Sequence, residues 1–292
     1  MSMINKVPAS AGAEWLLGGF ALLRKAPLAL GRLAVLWGLV SLVVMLAAIA
    51  VPVLMYGLQF LLILAGPLFF AGMILAVREV DQDRPALSGH LLQPVRDGHA
   101  RSLLATLLPQ ALAALILGGL LFVVVGTEQL KHLSDVMAQM QVIAESGGKA
   151  DPSMLEGLPV GRLLLWVLLV LVSFVAVKWM TFIATPQIIF SGKDALTSMR
   201  NSLRACLHNW TAMLVFYLLA GIAIFAISIG LFLVASLLQL LMGATLAMLL
   251  WQLMLMAVLM PVLAGAAYYA WRQMMGVSDR STPSPMATHI EV

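Results

Sequence analysis

The sequence predicts an all-α fold, a polytopic membrane helical bundle with six transmembrane helices. Three observations predict it. Six apolar runs lie near residues 30–54, 58–77, 103–126, 162–185, 211–236 and 244–271. Each holds about 20 residues or more, the length an α-helix needs to cross ~30 Å of hydrocarbon. The chain is 62% hydrophobic and 10% charged, with a mean hydropathy of +1.01. A soluble domain carries about 25% charged residues, so this chain lacks the polar surface to dissolve in water. Its basic residues, finally, sort almost entirely to one side of the apolar runs.

With a cytoplasmic N-terminus, the inside segments hold Lys6, Arg24, Lys25, Arg32, Arg78, Arg84, Arg96, Arg101, Lys193, Arg200, Arg204, Arg272 and Arg280 out of 17 basic residues. The outside connections hold only Lys131, Lys149 and Arg162, beside five acidic residues. The positive-inside rule then places both termini in the cytoplasm and residues 127–161 outside. A net charge of +4 in a soluble protein would suggest nucleic acid. In a membrane protein it marks the face that meets anionic lipid, and no nucleic acid is expected.

Along the chain, each odd-numbered run follows a short amphipathic stretch, so the bundle reads as three interfacial helix–span–span units. Residues 1–12 are mixed and the first run is of spanning length, which predicts a retained first helix rather than a cleaved signal. Trp15, Leu16, Phe20 and Leu23 form an apolar stripe against Glu14, Arg24 and Lys25, and Pro27 turns the chain into span one. Spans one and two join near Tyr56-Gly57. In the middle, Asp83 and Pro85 resemble a cap and first-turn pair, with Leu87, Leu91 and Leu92 as an apolar face. Spans three and four are separated by the external segment, where Leu130, Leu133, Met137, Met140 and Ile143 predict a helix ahead of a Gly/Pro-rich strip. Gly192 and Asp194 stop one helix and cap the next, in which Leu196, Met199, Leu203, Cys206, Leu207 and Trp210 recur at steps of three and four opposite Arg200 and Arg204. Spans five and six join near Met242-Gly243. Residues 1–275 thus read as a single membrane domain and residues 276–292 as a disordered cytoplasmic tail.

Few residues carry a chemical signal. Lys178 is the charge inside a run, and an intramembrane charge is costly. Its position near the inner end of span four lets its ammonium snorkel to the headgroups, anchored by Trp179. Gln110 and Gln252 are candidate intramembrane polar groups, with Gln59 and Gln239 near them. Amides on helices bent at Pro67, Pro109 or Pro261 can line a path, although they more commonly make interhelical hydrogen bonds. His132, Met137, Met140 and Met154 have Cu(I)-compatible donors, but the loop-helix face accounts for the two central methionines, and no metal or cofactor is expected. Cys206 is the single cysteine, which excludes an intramolecular disulfide. No nucleophile elbow, zinc-binding helix or phosphate loop occurs, so no enzyme is expected. Arg24, Lys25, Arg200 and Arg204 are the candidate contacts to anionic headgroups.

The stretches AEWLLGGFALLRKAPLAL, GPLFFAGMILAVREVDQDRPAL and ATPQIIFSGKDALTSMRNSLRACLHNW resemble a family of uncharacterised proteobacterial six-span inner-membrane proteins. A weaker likeness extends to YciC-type membrane proteins and to the membrane part of certain glycerophosphodiesterases. The resemblance implies a bacterial inner-membrane address and carries no functional residue across. The expected function is a non-catalytic membrane protein that organises lipid or an envelope partner protein at the cytoplasmic face. The alternatives are a small transporter or flippase for an amphiphilic substrate, and an immunity-type or sensor protein acting through its external loop.

Overall fold

A computed structural model describes residues 4–146 and 157–276. Every regular element among them is helical: α1 (Ala11–Lys25), α2 (Pro27–Ala50), α3 (Met55–Asp81), α4 (Gln93–Arg96), α5 (Ala100–Ala105), α6 (Leu108–Val124), α7 (Thr127–Ser146), α8 (Val160–Thr181), α9 (Ala184–Ser191), α10 (Ala195–His208), α11 (Trp210–Met242) and α12 (Ala244–Met274). Six helical stretches are long and apolar enough to cross a membrane. The chain is therefore a multi-pass, all-helical membrane protein. The predicted tail lies outside the described residues beyond Gly276, as do Met154 and most of the Gly/Pro-rich strip.

The helices gather into two compact units, Leu107–Trp179 and the remainder of the chain on either side of it. In the larger unit α12 is central and packs against α1, α2, α3 and α11. The core sits at one end of these helices. Burial in α12 concentrates between Pro261 and Met274, with Ala247 buried besides, and in α3 it runs from Ala71 to Val80; the buried apolar side chains among the described residues of α2 are Leu30, Leu33, Ala34 and Trp37. Small residues make this possible, because Ala264, Gly265, Ala266, Ala267 and Ala270 let neighbouring backbones approach closely. The tightest approaches belong to α1. A Cβ on Gly12 would stand 2.1 Å from the Ala212 carbonyl oxygen of α11, and one on Gly19 would stand 2.2 Å from that of Val262 in α12.

Local signals place the ends of these elements. Pro27 opens α2, where its missing N–H costs no helical bond. Gly192, left-handed at φ 62°, closes α9, and Asp194 Oδ2 accepts from the Thr197 N–H at 3.0 Å to cap α10. Pro109 falls in the first turn of α6, just after the break at residues 106–107 that separates it from α5, while Pro67 and Pro261 lie inside α3 and α12.

The middle amphipathic helix is not continuous. Asp83 takes a left-handed φ of 58°, and the following segment breaks into a 3-10 turn at Ser88–Leu91, then α4 and α5. Pro94 in the first turn of α4 and the positive φ of Gly98 limit each piece to a turn or two. Leu91 is buried, but Leu87 and Leu92 are exposed.

In the smaller unit neither α6 nor α8 buries a residue. Trp166 of α8 donates its indole N–H to the Leu117 carbonyl of α6 at 3.1 Å. The helix predicted between spans three and four forms as α7, with its inward face turned from that expected: Val136 is buried, while Met137 and Met140 are exposed.

Candidate functional site at the basic end

The packed end of the larger unit gathers polar groups from distant parts of the chain. Asp81, on the last turn of α3, accepts three hydrogen bonds from α12: from the Tyr269 hydroxyl at 2.7 Å, the Arg272 guanidinium at 2.6 Å and the Tyr268 hydroxyl at 3.1 Å. Arg272 also lies over both tyrosine rings, 5.5 and 5.7 Å from their centroids. Both carboxylate oxygens are thus hydrogen-bonded, and the Arg272 guanidinium lies against one of them. Beside it, the Lys25 ammonium of α1 meets Asp83 at 2.7 Å and the Asp81 carbonyl at 3.4 Å. Arg84 chelates Glu79 at 2.5 and 2.8 Å.

Two further ties hold the start of the chain here. Trp15, fully buried, donates to Gln273 at 2.8 Å, and Gln273 in turn donates to Glu14 at 3.2 Å. Asn209, buried between α10 and α11, accepts from the Val7 N–H at 2.8 Å and donates to the Asn5 and Ala205 carbonyls at 3.0 Å. Phe182, Phe216 and Tyr217 cluster about Trp15, and Arg78 stacks 4.8 Å over Phe190.

α10 is built with two unlike faces. Ala195, Ser198, Met199, Ser202, Ala205 and Cys206 are buried, and Ser202 accepts from the Ile183 N–H at 3.1 Å. The small side chains allow α9 to seat against α10, with Ala184 on Ala195 and Met199. The other face exposes Leu196 and Leu207 among Arg200 and Arg204, with Leu203 half-buried at its edge and Trp210 exposed just beyond, at the start of α11. The expected stripe is therefore divided: Met199 and Cys206 serve the core, while the large leucines and the tryptophan face outward. Burial pushes the Cys206 thiol up to about 12. The backbone N–H of Thr197, donated to its carboxylate, holds Asp194 below the usual range.

Other candidate residues fall in separate places. Lys25 is already engaged by Asp83, so it is an internal tie more than a free headgroup contact. Arg24, Arg32, Arg200 and Arg204 are exposed and form no salt bridge among the described residues. The stripe on α1 covers protein: Trp15 and Leu16 are buried, and α1 packs on α11 and α12. In the larger unit Gln59, Gln239 and Gln252 stand on exposed helix surface; in the smaller unit Gln110 does the same. Lys178 is exposed near the end of α8, its ammonium 5.4 Å from the Phe174 ring centroid. Among the described residues no group of three His, Cys, Asp or Glu side chains converges to hold a metal ion.

Sequence reasoning missed Asp81, Tyr268, Tyr269, Asn209 and Gln187. Gln187 is buried in α9 and accepts from Asn201 of α10 at 3.3 Å. Compared with known proteins, the chain matches no family model, no curated protein and no solved structure.

Proposed function

We propose that this protein is a non-catalytic inner-membrane protein that gathers anionic lipid at the cytoplasmic face, with both termini on that side. The observation that carries this reading is the outward face of α10. There Leu196 and Leu207 stand among Arg200 and Arg204, with Trp210 exposed just beyond at the start of α11, while the opposite face is packed on protein. A helix held by its small-residue face presents leucines for shallow burial and guanidiniums for phosphate, as surface-lying amphipathic helices do. Exposed Arg24, Arg96 and Arg101 extend the positive field in the same unit, each basic residue near the surface contributing about 1 kcal/mol of attraction.

The test is the lipid that travels with the full chain. Protein extracted from membranes of known composition should be enriched in phosphatidylglycerol relative to the bulk. Replacing Arg200 and Arg204 together by Gln should cut that enrichment several-fold while leaving the purified yield unchanged. Equal lipid composition in the two preparations would overturn the reading. Reporter fusions should place Ser146 outside and Val292 in the cytoplasm; the reverse assignment would overturn the orientation on which the reading depends, and matching compartments would overturn the threading.

A further inference from the structure

The larger unit carries a groove of about 680 Å³, within the ~300–1,000 Å³ range of small-molecule sites. Its walls are apolar: Leu28, Leu33 and Leu36 of α2, Leu87 just before the 3-10 turn, and Ala257 of α12. One cation stands in this lining, Arg32. Its Nε donates to the Leu28 carbonyl of its own helix at 3.1 Å, and no salt bridge engages it among the described residues. Asp83, which precedes the groove residues Ala86, Leu87 and Ser88 in the sequence, is committed to Lys25 at 2.7 Å. An apolar trough with one uncompensated guanidinium is complementary to a molecule with a long hydrocarbon part and one anionic head. Most of the lining lies on α2, a helix long and apolar enough to cross the membrane, so the occupant enters from the bilayer.

We propose that this groove is a binding site for one anionic glycerophospholipid, an acyl chain lying along Leu28, Leu33 and Leu36 and the phosphate accepting from Arg32. It extends the lipid-gathering reading from a charged surface on α10 to a discrete site on α2, and it rests on that reading. Ser88, also on the groove lining, adds a hydroxyl donor. Gly31 leaves room for the chain, because a Cβ there meets nothing nearer than the Ala257 Cβ at 4.0 Å.

The experiment is native mass spectrometry of the full chain offered phosphatidylglycerol and phosphatidylethanolamine in equal amounts. Wild type should retain one phosphatidylglycerol in preference. Arg32→Gln should lower that preference about ten-fold, the order expected for losing a charge-assisted bond to phosphate. Gly31→Leu, which fills the trough and suits a helix, should lower occupancy by either lipid. Both variants should match wild type in thermal stability without added lipid, since Arg32 bonds only its own helix. Preference retained in both variants overturns the site while leaving the lipid-gathering reading intact. No preference in wild type overturns both. Loss in Arg32→Gln with full retention in Gly31→Leu removes the groove from the site and overturns it as drawn.

Discussion

The two halves of α2, α3, α11 and α12 follow different rules. At the basic end the helices are lined by Gly and Ala, cross-linked by hydrogen bonds and closed over by α1. Towards the far turns the same helices present large apolar side chains outward: Leu61 is 61% exposed, Leu240 84% and Leu241 83%. Hydrocarbon solvates leucine as well as a protein core does, so the far halves gain nothing from mutual burial, and close packing has to come from small residues and polar ties. The lesson is that in this molecule specificity is concentrated at one end, and lipid compatibility at the other. α11, with 33 residues, and α12, with 31, are ~50 Å and ~46 Å long. Both exceed the ~30 Å hydrocarbon layer, which leaves their basic-end turns free for this construction.

The sharpest way to break the comparison is a matched pair of glycine substitutions. Gly19→Ala places a methyl 2.2 Å from a backbone oxygen that cannot swing away, so α1 must lift from α12. The expected cost is about 3 kcal/mol or more, seen as lost yield and a lower Tm in detergent. Gly230→Ala, in the far half of α11, meets nothing within 4 Å and should leave both unchanged or slightly improved. Equal effects at the two positions would dissolve the distinction.

Next in size is Asp81→Asn. It removes the charge that Arg272 neutralises while keeping the shape, with the two side chains 14% and 22% exposed. Breaking a buried pair costs about 3–5 kcal/mol, and this partial exposure reduces the expectation to about 2 kcal/mol. A Tm drop well above that of Lys25→Gln is the expected reading, because the Lys25–Asp83 pair is largely solvated and exposed pairs contribute about 0–1 kcal/mol.

Cys206 sharpens the contrast through pH. Its thiol is raised from 9.0 to about 12, so the folded state favours the neutral form. That preference is fully present below about pH 9 and is lost as pH climbs towards 12, where the unfolded chain gains a thiolate the core refuses. Wild type should lose Tm faster than Cys206→Ser between pH 9 and 11. Maleimide should label the folded chain far more slowly than the denatured one at pH 8.

How much of this was legible depends on the range of the signal. The far halves were read from length and composition, since uniform Leu, Val and Ile over 20 residues leave no other solvent. Pro27, Gly192 and Asp194 were read because capping acts within three or four residues. The Asp81 cluster joins positions nearly 190 residues apart and has no local signature, so only packing reveals it. The stripe on α10 was read as one face, yet its helix buries Ser198 and Ser202 and exposes Leu196, because small residues suit a close helix contact better than large apolar ones do. The middle interfacial helix failed for a local reason. The spacing of its leucines was helical, but Pro94 and Gly98 overrule periodicity.

The smallest expected effect tests the smaller unit, where burial offers α6 and α8 no support. Lys178 stands 18 residues along α8 from Val160, ~27 Å of rise, which brings it near one edge of the hydrocarbon layer. Phe174 precedes it by one turn and lies under the ammonium at 5.4 Å, a contact contributing about 0.5–1 kcal/mol at an exposed site. The butyl stem can therefore lie along the helix while the charge reaches headgroups. Lys178→Arg preserves both features and should leave membrane-embedded protein levels and lipid enrichment at wild-type values. Lys178→Leu removes the anchor and should lower levels only slightly, because the helix remains apolar and long enough to span. Were Lys178→Arg to abolish lipid enrichment at normal protein levels, the snorkelling account would fail, and the ammonium itself would have to act on a specific partner within the membrane.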